Sequence, residues 1–290
     1  MWKTFLESYD ENPLPVSLIG GDRDLVRALQ EALLVHGYLD PPVDGIYGSV
    51  SNWALTEFCY RQGLSLGAGF TRDVAHALAA PANALPEIDT SHGWQGRAVQ
   101  HMLDQGHWIC RHPACHNILY IEGLNADGTV NADAPNKFND LRCVFSITSN
   151  GQPKFTTWDG TTEPGTFWTV NPMNEDGAAR IAFAQFKSWR VGIHKTHEAL
   201  VQVRDVTVHR DLNQDYLRTN DETFSGLFGI NQHWGYDLPK DDLGTSSAGC
   251  LVGRTKSGHR DFMRLIKSDP RYTAGRTYTF MSAIIPGDKI

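Results

Sequence analysis

Leu25, Ala28, Leu29, Ala32, Leu33 and His36 recur at three- and four-residue spacing, one buried stripe along a helix predicted over 24–39. Gly37 stops the run, because glycine readily leaves the helical conformation. A tight glycine-containing loop at 44–48 then leads, with Ser49 as a cap candidate, into a second helix carrying Trp53, Ala54, Glu57, Phe58 and Gln62. A short third helix is predicted near "TRDVAHALAA". The next stretch, "PANALPEIDTSHG" at 81–93, has two prolines and no periodicity, as a linker does. Beyond it "GRAVQHMLDQGHWICR" reads as one amphipathic helix, and then the period changes. "NILYIEGL", "RCVFSIT", "GTFWTV" and "ALVQVRDVTVHR" are dense in branched and aromatic residues and read as strands. "GHRDFMRLIKS" returns to a helix with Phe262, Leu265 and Ile266 inward, and "TYTFMSAIIP" closes as a strand. The predicted class is α+β multidomain: a small helical unit over 1–80, a linker over 81–93, and a mainly β domain with flanking helices over 94–290.

Composition changes this picture little. A chain of 290 residues has ample length for two domains, and 41% hydrophobic with 20% charged residues is ordinary for a globular protein. The net charge of −7, with no Lys/Arg block, argues against nucleic acid or anionic lipid as a partner. No window is long and apolar enough for a membrane span, and no secretion signal is evident, so synthesis in the cytoplasm is expected. Cys59, Cys110, Cys115, Cys143 and Cys250 form an odd set, so at least one thiol should stay free. "HWICRHPACH" gathers His107, Cys110, His112, Cys115 and His116, but the spacing fits no strong zinc signature. A local disulfide or an ordinary helix end is the alternative there. His194, His197 and His209 lack a partner motif, and no metal or other cofactor is expected.

The candidate chemistry lies in "GTSSAGCLVGR" at 244–254. A thiol with a pKa of about 8.5 is mostly protonated near neutrality, so a nucleophilic Cys250 needs an imidazole, and His233 lies upstream. Ser247, Ala248 and Gly249 are small enough to let backbone N–H groups approach a reacting carbonyl and its developing oxyanion.

Two resemblances organise these residues. Val26, Leu29, Gln30, Leu33, Gly37, Tyr38, "VDGIYG" at 43–48, Ala54, Leu55, Phe58 and the Gly-Leu pair at 63–64 resemble the peptidoglycan-binding domain, a three-helix module of bacterial wall enzymes. The resemblance implies Asp44, Tyr47 and Trp53 as candidate wall contacts. His233, Gly235, Gly244, Ser247, Gly249, Cys250 and Leu251, in that order, resemble the catalytic motif of the L,D-transpeptidases, the YkuD-like family. "TTEPGTFWTV" partly matches a further segment of that family. Two departures stand out: Ala248 replaces the usual histidine, and Val252 replaces the usual arginine or asparagine.

The second resemblance implies a β-sandwich that processes peptidoglycan stem peptides through a thioester. Cys250, His233, Ser247 and Gly249 would be catalytic, with Trp234, Gly235 and Arg254 toward substrate; Arg254 is the candidate replacement for the residue missing at 252. An enzyme of this kind made without a signal would reach the wall or periplasm by a non-Sec route, carried by a phage or a phage-tail-like injection device. Two other classes remain open: a zinc wall peptidase, and a noncatalytic wall-binding or virion structural protein.

Overall fold

A computed structural model describes residues 1–10, 13–81 and 85–290. In the N-terminal unit the helices are α1 (Trp2–Glu7), α2 (Arg23–Val35), α3 (Ser49–Arg61) and α4 (Arg72–Ala79). The last three fall where the periodicity puts them, and α1 adds a fourth whose Leu6 enters the same core. Asp22 caps α2 by accepting the N–H groups of Asp24 and Leu25, both at 3.0 Å. Gly37 leaves the helix at φ +85°. Ser49 is not a cap: Gly48 holds that position and Ser49 begins α3.

The remainder comprises α5 (Gly93–Asp104), α6 (Thr166–Val170), α7 (Lys256–Ser268) and α8 (Pro270–Ala274) around eleven strands. Eight of them form one closed sheet: β1 (Asn117–Glu122), β2 (Asp140–Ile147), β3 (Pro153–Thr161), β5 (Gln185–His194), β6 (His197–Gln202), β9 (Gln232–Trp234), β10 (Leu251–Gly253) and β11 (Phe280–Pro286). Their order is β1-β11-β5-β6-β9-β10-β3-β2, and β2 pairs back onto β1. The α+β class holds, but a barrel stands where a two-sheet sandwich is expected. A separate three-stranded sheet runs β4 (Ala178–Ile181), β7 (Val206–Asp211), β8 (Glu222–Gly226).

Three sequence expectations shift. "GTFWTV" is not a strand: β3 ends at Thr161, and Gly165 accepts the N–H groups of Trp168 and Thr169 at 3.0 Å to start α6. "ALVQVRDVTVHR" breaks at 203–205 into β6 and β7, which belong to different sheets. The helix predicted through 111 stops at Asp104, followed by Gly106 at φ +71°.

Of the predicted linker, 82–84 lie outside the described residues. Leu85 is buried in the helical core, while Asp89 donates its N–H to the Gly151 carbonyl at 2.9 Å, so the flanks of this segment are tied to both units. The units also touch directly. Asp40 accepts from the Tyr278 hydroxyl at 2.9 Å and pairs with Lys187 at 3.0 Å, and Glu57 meets His112 at 2.9 Å. Among the described residues no helix is long and apolar enough to cross a membrane.

Candidate active site

Strands β9 and β10 lie side by side and parallel, pairing His233 with Val252. Cys250 immediately precedes β10, at the end of a turn built by Ser247 and Gly249. The Ser247 hydroxyl accepts the Gly249 N–H at 3.2 Å and donates to the Cys250 carbonyl at 2.9 Å. Gly249 stands at φ +122°, and a Cβ there would come within 2.5 Å of the Ala179 carbonyl, so only glycine fits. The Ser247 carbonyl accepts the Gly165 N–H at 2.9 Å, which joins the "TTEPGTFWTV" segment to this turn.

The Gly249 amide is thus occupied. Among the described residues nothing accepts the N–H of Cys250 or of Ala248, both on residues that line the cavity, so these amides are open to an incoming acceptor. The Cys250 Sγ lies 3.4 Å from the Asn231 N–H and 3.5 Å from the Gly229 carbonyl. Burial pushes its thiol above the ordinary value, against the pull of the Asn231 N–H and Lys195, so the resting group is a thiol.

His233 is buried at 4% exposure, and burial drives its pKa down to about 3. Its Nδ1 faces the Trp234 carbonyl at 2.9 Å. A carbonyl only accepts, so Nδ1 carries the proton and Nε2 is the basic nitrogen. His194 stacks on this ring with centroids 4.6 Å apart and planes 19° from parallel. Asn231 orients it: its Oδ1 accepts the Gln202 N–H at 2.9 Å, which turns its Nδ2 toward His194 Nδ1 at 2.9 Å. Cys250, His233 and His194 all line one open cavity of about 550 Å³.

Behind the strands lies Arg142, fully buried and, among the described residues, paired with no carboxylate. It donates to the His233 carbonyl at 2.6 Å, the Leu251 carbonyl at 3.2 Å and the Tyr120 hydroxyl at 2.8 Å, and lies 3.1 Å from His259 Nδ1. One planar guanidinium therefore fixes the strand bearing His233 against the strand after Cys250. His259 Nε2 faces the Glu198 carbonyl at 2.9 Å, so its Nδ1 is the acceptor, and burial with the Arg142 charge holds its pKa at about 3.

The other residues singled out from the sequence take different places. Gly235 is a packing position: a Cβ would meet the Phe138 ring at 2.4 Å. Trp234 is buried away from the cavity against His197, their ring centroids 3.9 Å apart. Arg254 pairs with Asp159 at 3.3 Å and does not line the cavity. Val252 is buried beside Phe138 and Leu243, an apolar setting with no use for a polar side chain. Asp44, Tyr47 and Trp53 stay in the helical unit. Asp44 accepts from Gln30 Nε2 and from its own loop at Ile46, both at 2.9 Å. Tyr47 is half-buried against the helical core, and Trp53 meets the His112 ring at 5.5 Å.

Among the described residues, one group has ligand atoms close enough for a metal ion: Glu122, Asp133 and Glu163, within 4.8 Å of one another. Arg218 already grips both oxygens of Glu122, at 2.5 and 2.6 Å, and Arg180 pairs with Glu163. In the 107–116 cluster Cys110 and Cys115 are buried free thiols, His112 is bound to Glu57, and His116 lies 3.2 Å from the Ser268 hydroxyl.

No family model and no curated protein matches the chain. A crystal structure of a fused Zn-dependent amidase/peptidase/peptidoglycan-binding domain-containing protein from Clostridium acetobutylicum ATCC 824 aligns at a TM-score of 0.29 and 13% identity, over 89% of this chain and 94% of that one. At that score the likeness establishes neither fold nor function.

Sequence reasoning missed Asn231 and Arg142, and set His194 aside for want of a partner motif. Asn231 stands next to a three-residue strand with no periodic signal. Arg142 reads in sequence as an ordinary solvated charge within "RCVFSIT". His194 has no motif around it, and only the pairing of β5 with β6, and of β6 with β9, brings it to the cavity.

Proposed function

We propose that the protein is a cysteine acyltransferase or peptidase of peptidoglycan stem peptides, as its resemblance to the L,D-transpeptidases implies. The observation that carries the reading is Cys250 sharing one cavity with a buried His233 whose Nδ1 is tied to the Trp234 carbonyl. That bond leaves Nε2 as a neutral base in the cavity wall.

In the proposed reaction His233 Nε2 takes the Cys250 proton as Sγ attacks the carbonyl carbon of an amide between an L-centre and a D-residue. The C–S bond forms, the Cys250 N–H donates to the oxyanion, and collapse breaks the C–N bond. The proton on His233 passes to the leaving amine. An incoming amine or water, deprotonated by His233, then cleaves the thioester and restores the thiol. The stacked His194 supplies the second imidazole that Ala248 lacks, arriving from a different strand. The helical unit is proposed to hold the enzyme on the polymer, and the place of action is the wall or periplasm.

Incubating the full chain with soluble muropeptides and reading product masses tests this. A trimmed or crosslinked product lost in Cys250→Ala supports it; unchanged muropeptides, or products that persist in the variant, count against it.

A further inference from the structure

The charge around the cavity of Cys250 is one-sided. Among the described residues no aspartate or glutamate lines it, and its two permanent cations are Lys195 and Arg210, in a chain of net charge −7. Neither has a carboxylate within ion-pair distance among the described residues.

The two cations flank the reacting pair. Arg210 faces Ala179 across the β4–β7 ladder, and the Ala179 carbonyl packs against Gly249, so the guanidinium stands on the Cys250 side. Lys195 turns the β5–β6 hairpin at φ +54°, directly after the His194 that stacks on His233. Its ammonium lies 5.5 Å from the centre of the Tyr236 ring.

Arg210 is incompletely satisfied. It donates to the Gly177 carbonyl at 3.3 Å and covers the Phe228 ring at 5.0 Å, but its Nε is buried without an acceptor. Asp176 attracts it only from beyond ion-pair distance. Holding a guanidinium partly desolvated and unpaired is costly, and an incoming anion removes that cost by forming charge-assisted hydrogen bonds. Paired low-dielectric walls of one sign also concentrate ligands of the opposite sign.

We infer that Arg210 and Lys195 bind carboxylates of the acyl-donor peptide, making the site selective for an anionic donor. This rests on the thioester reading above for the word donor, whereas the binding itself does not. In this reading the carboxylate-binding role expected of Arg254 falls to Arg210, a residue of the three-stranded sheet.

The test separates the two. Binding is measured by calorimetry on Cys250→Ala, which cannot react, using a tetrapeptide with an L-to-D amide and free carboxylates, and the same peptide with its carboxylates converted to primary amides. The expected result is a Kd about ten- to a hundredfold weaker for the amidated peptide, the span of one or two charge-assisted bonds. Adding Arg210→Gln should remove most of that difference, while Arg210→Lys should keep part of it. Equal Kd values for the two peptides, or an undiminished difference in Arg210→Gln, would overturn the inference. Wild-type enzyme is then mixed with the free-carboxylate peptide and its intact mass recorded. Discrimination in binding without an acyl adduct or product would leave the anion site standing and remove the thioester reading.

Discussion

His233 Nδ1 lies 2.9 Å from the carbonyl oxygen of Trp234, the next residue of the same strand. A backbone acceptor thereby does what a carboxylate does in the triads of cysteine and serine enzymes: it fixes the tautomer and aims the ring. A carbonyl brings no full negative charge, so its hydrogen bond offsets only part of the burial that holds the imidazole at about 3, and the site rests as neutral thiol and neutral imidazole.

That neutrality fixes the pH dependence. A lowered pKa keeps His233 in its basic form as pH falls from 6.5 toward about 3, so the acid limb of kcat/KM should lie well below 6. Burial raises the thiol, so alkylation of Cys250 by iodoacetamide should keep rising above pH 9. Initial rates across pH 4 to 10 check both; an acid limb centred between 6 and 7 would show an imidazole in ordinary solvation.

Arg142 joins β9 to β10 through the His233 and Leu251 carbonyls. Arg142→Met leaves those carbonyls, the Tyr120 hydroxyl and His259 Nδ1 with fewer partners, and should destabilise the fold by about 2–4 kcal/mol in chemical denaturation. Its charge also depresses His233, so the acid limb should move upward in protein that remains folded. A stability loss with an unmoved limb would limit Arg142 to a packing role.

Gly235 owes its identity to Phe138, whose ring would lie 2.4 Å from an added Cβ. Gly235→Ala should cost about 1–3 kcal/mol and displace β9, lowering turnover. Phe138→Leu, which shortens the clashing side chain, should partly rescue it, giving a double variant more stable than the sum of the two losses. Strict additivity in denaturant midpoints would mean the clash relaxes elsewhere.

How far the sequence reaches is visible in these residues. Helices α2 and α4 carry a full apolar stripe, and β1, β2 and β11 are long apolar runs, so periodicity finds them. Strands β9 and β10 have three residues each, too short for any period, yet they hold the site. Cys250, His233, Ser247 and Gly249 were legible as candidates because a thiol nucleophile would need an imidazole and a small-residue turn, and Cys250 and His233 do line one cavity. The turn's division of labour was not: Ser247 captures the Gly249 amide that looked free for the oxyanion. The resemblance places Trp234 and Arg254 toward substrate, Arg254 as the replacement for the residue missing at 252; in the fold, alternation along the strand buries Trp234 on the other face, and Arg254 pairs with Asp159. Lys195, His194 and Arg210 reach the cavity through pairings between distant strands, which no local spacing records.

In the proposed reaction Cys250 Sγ carries the acyl group of a stem peptide. The most direct measurement is intact-protein mass spectrometry of the full chain, quenched in acid soon after mixing with a stem tetrapeptide, followed by peptide mapping. The account predicts a mass increase equal to the peptide acyl fragment, located on Cys250, released by hydroxylamine as a thioester is, and absent in Cys250→Ala. In His233→Ala the adduct should form more slowly by about two to four orders of magnitude. Turnover of the peptide by Cys250→Ala at the wild-type rate, or an adduct on any other residue, would contradict the account.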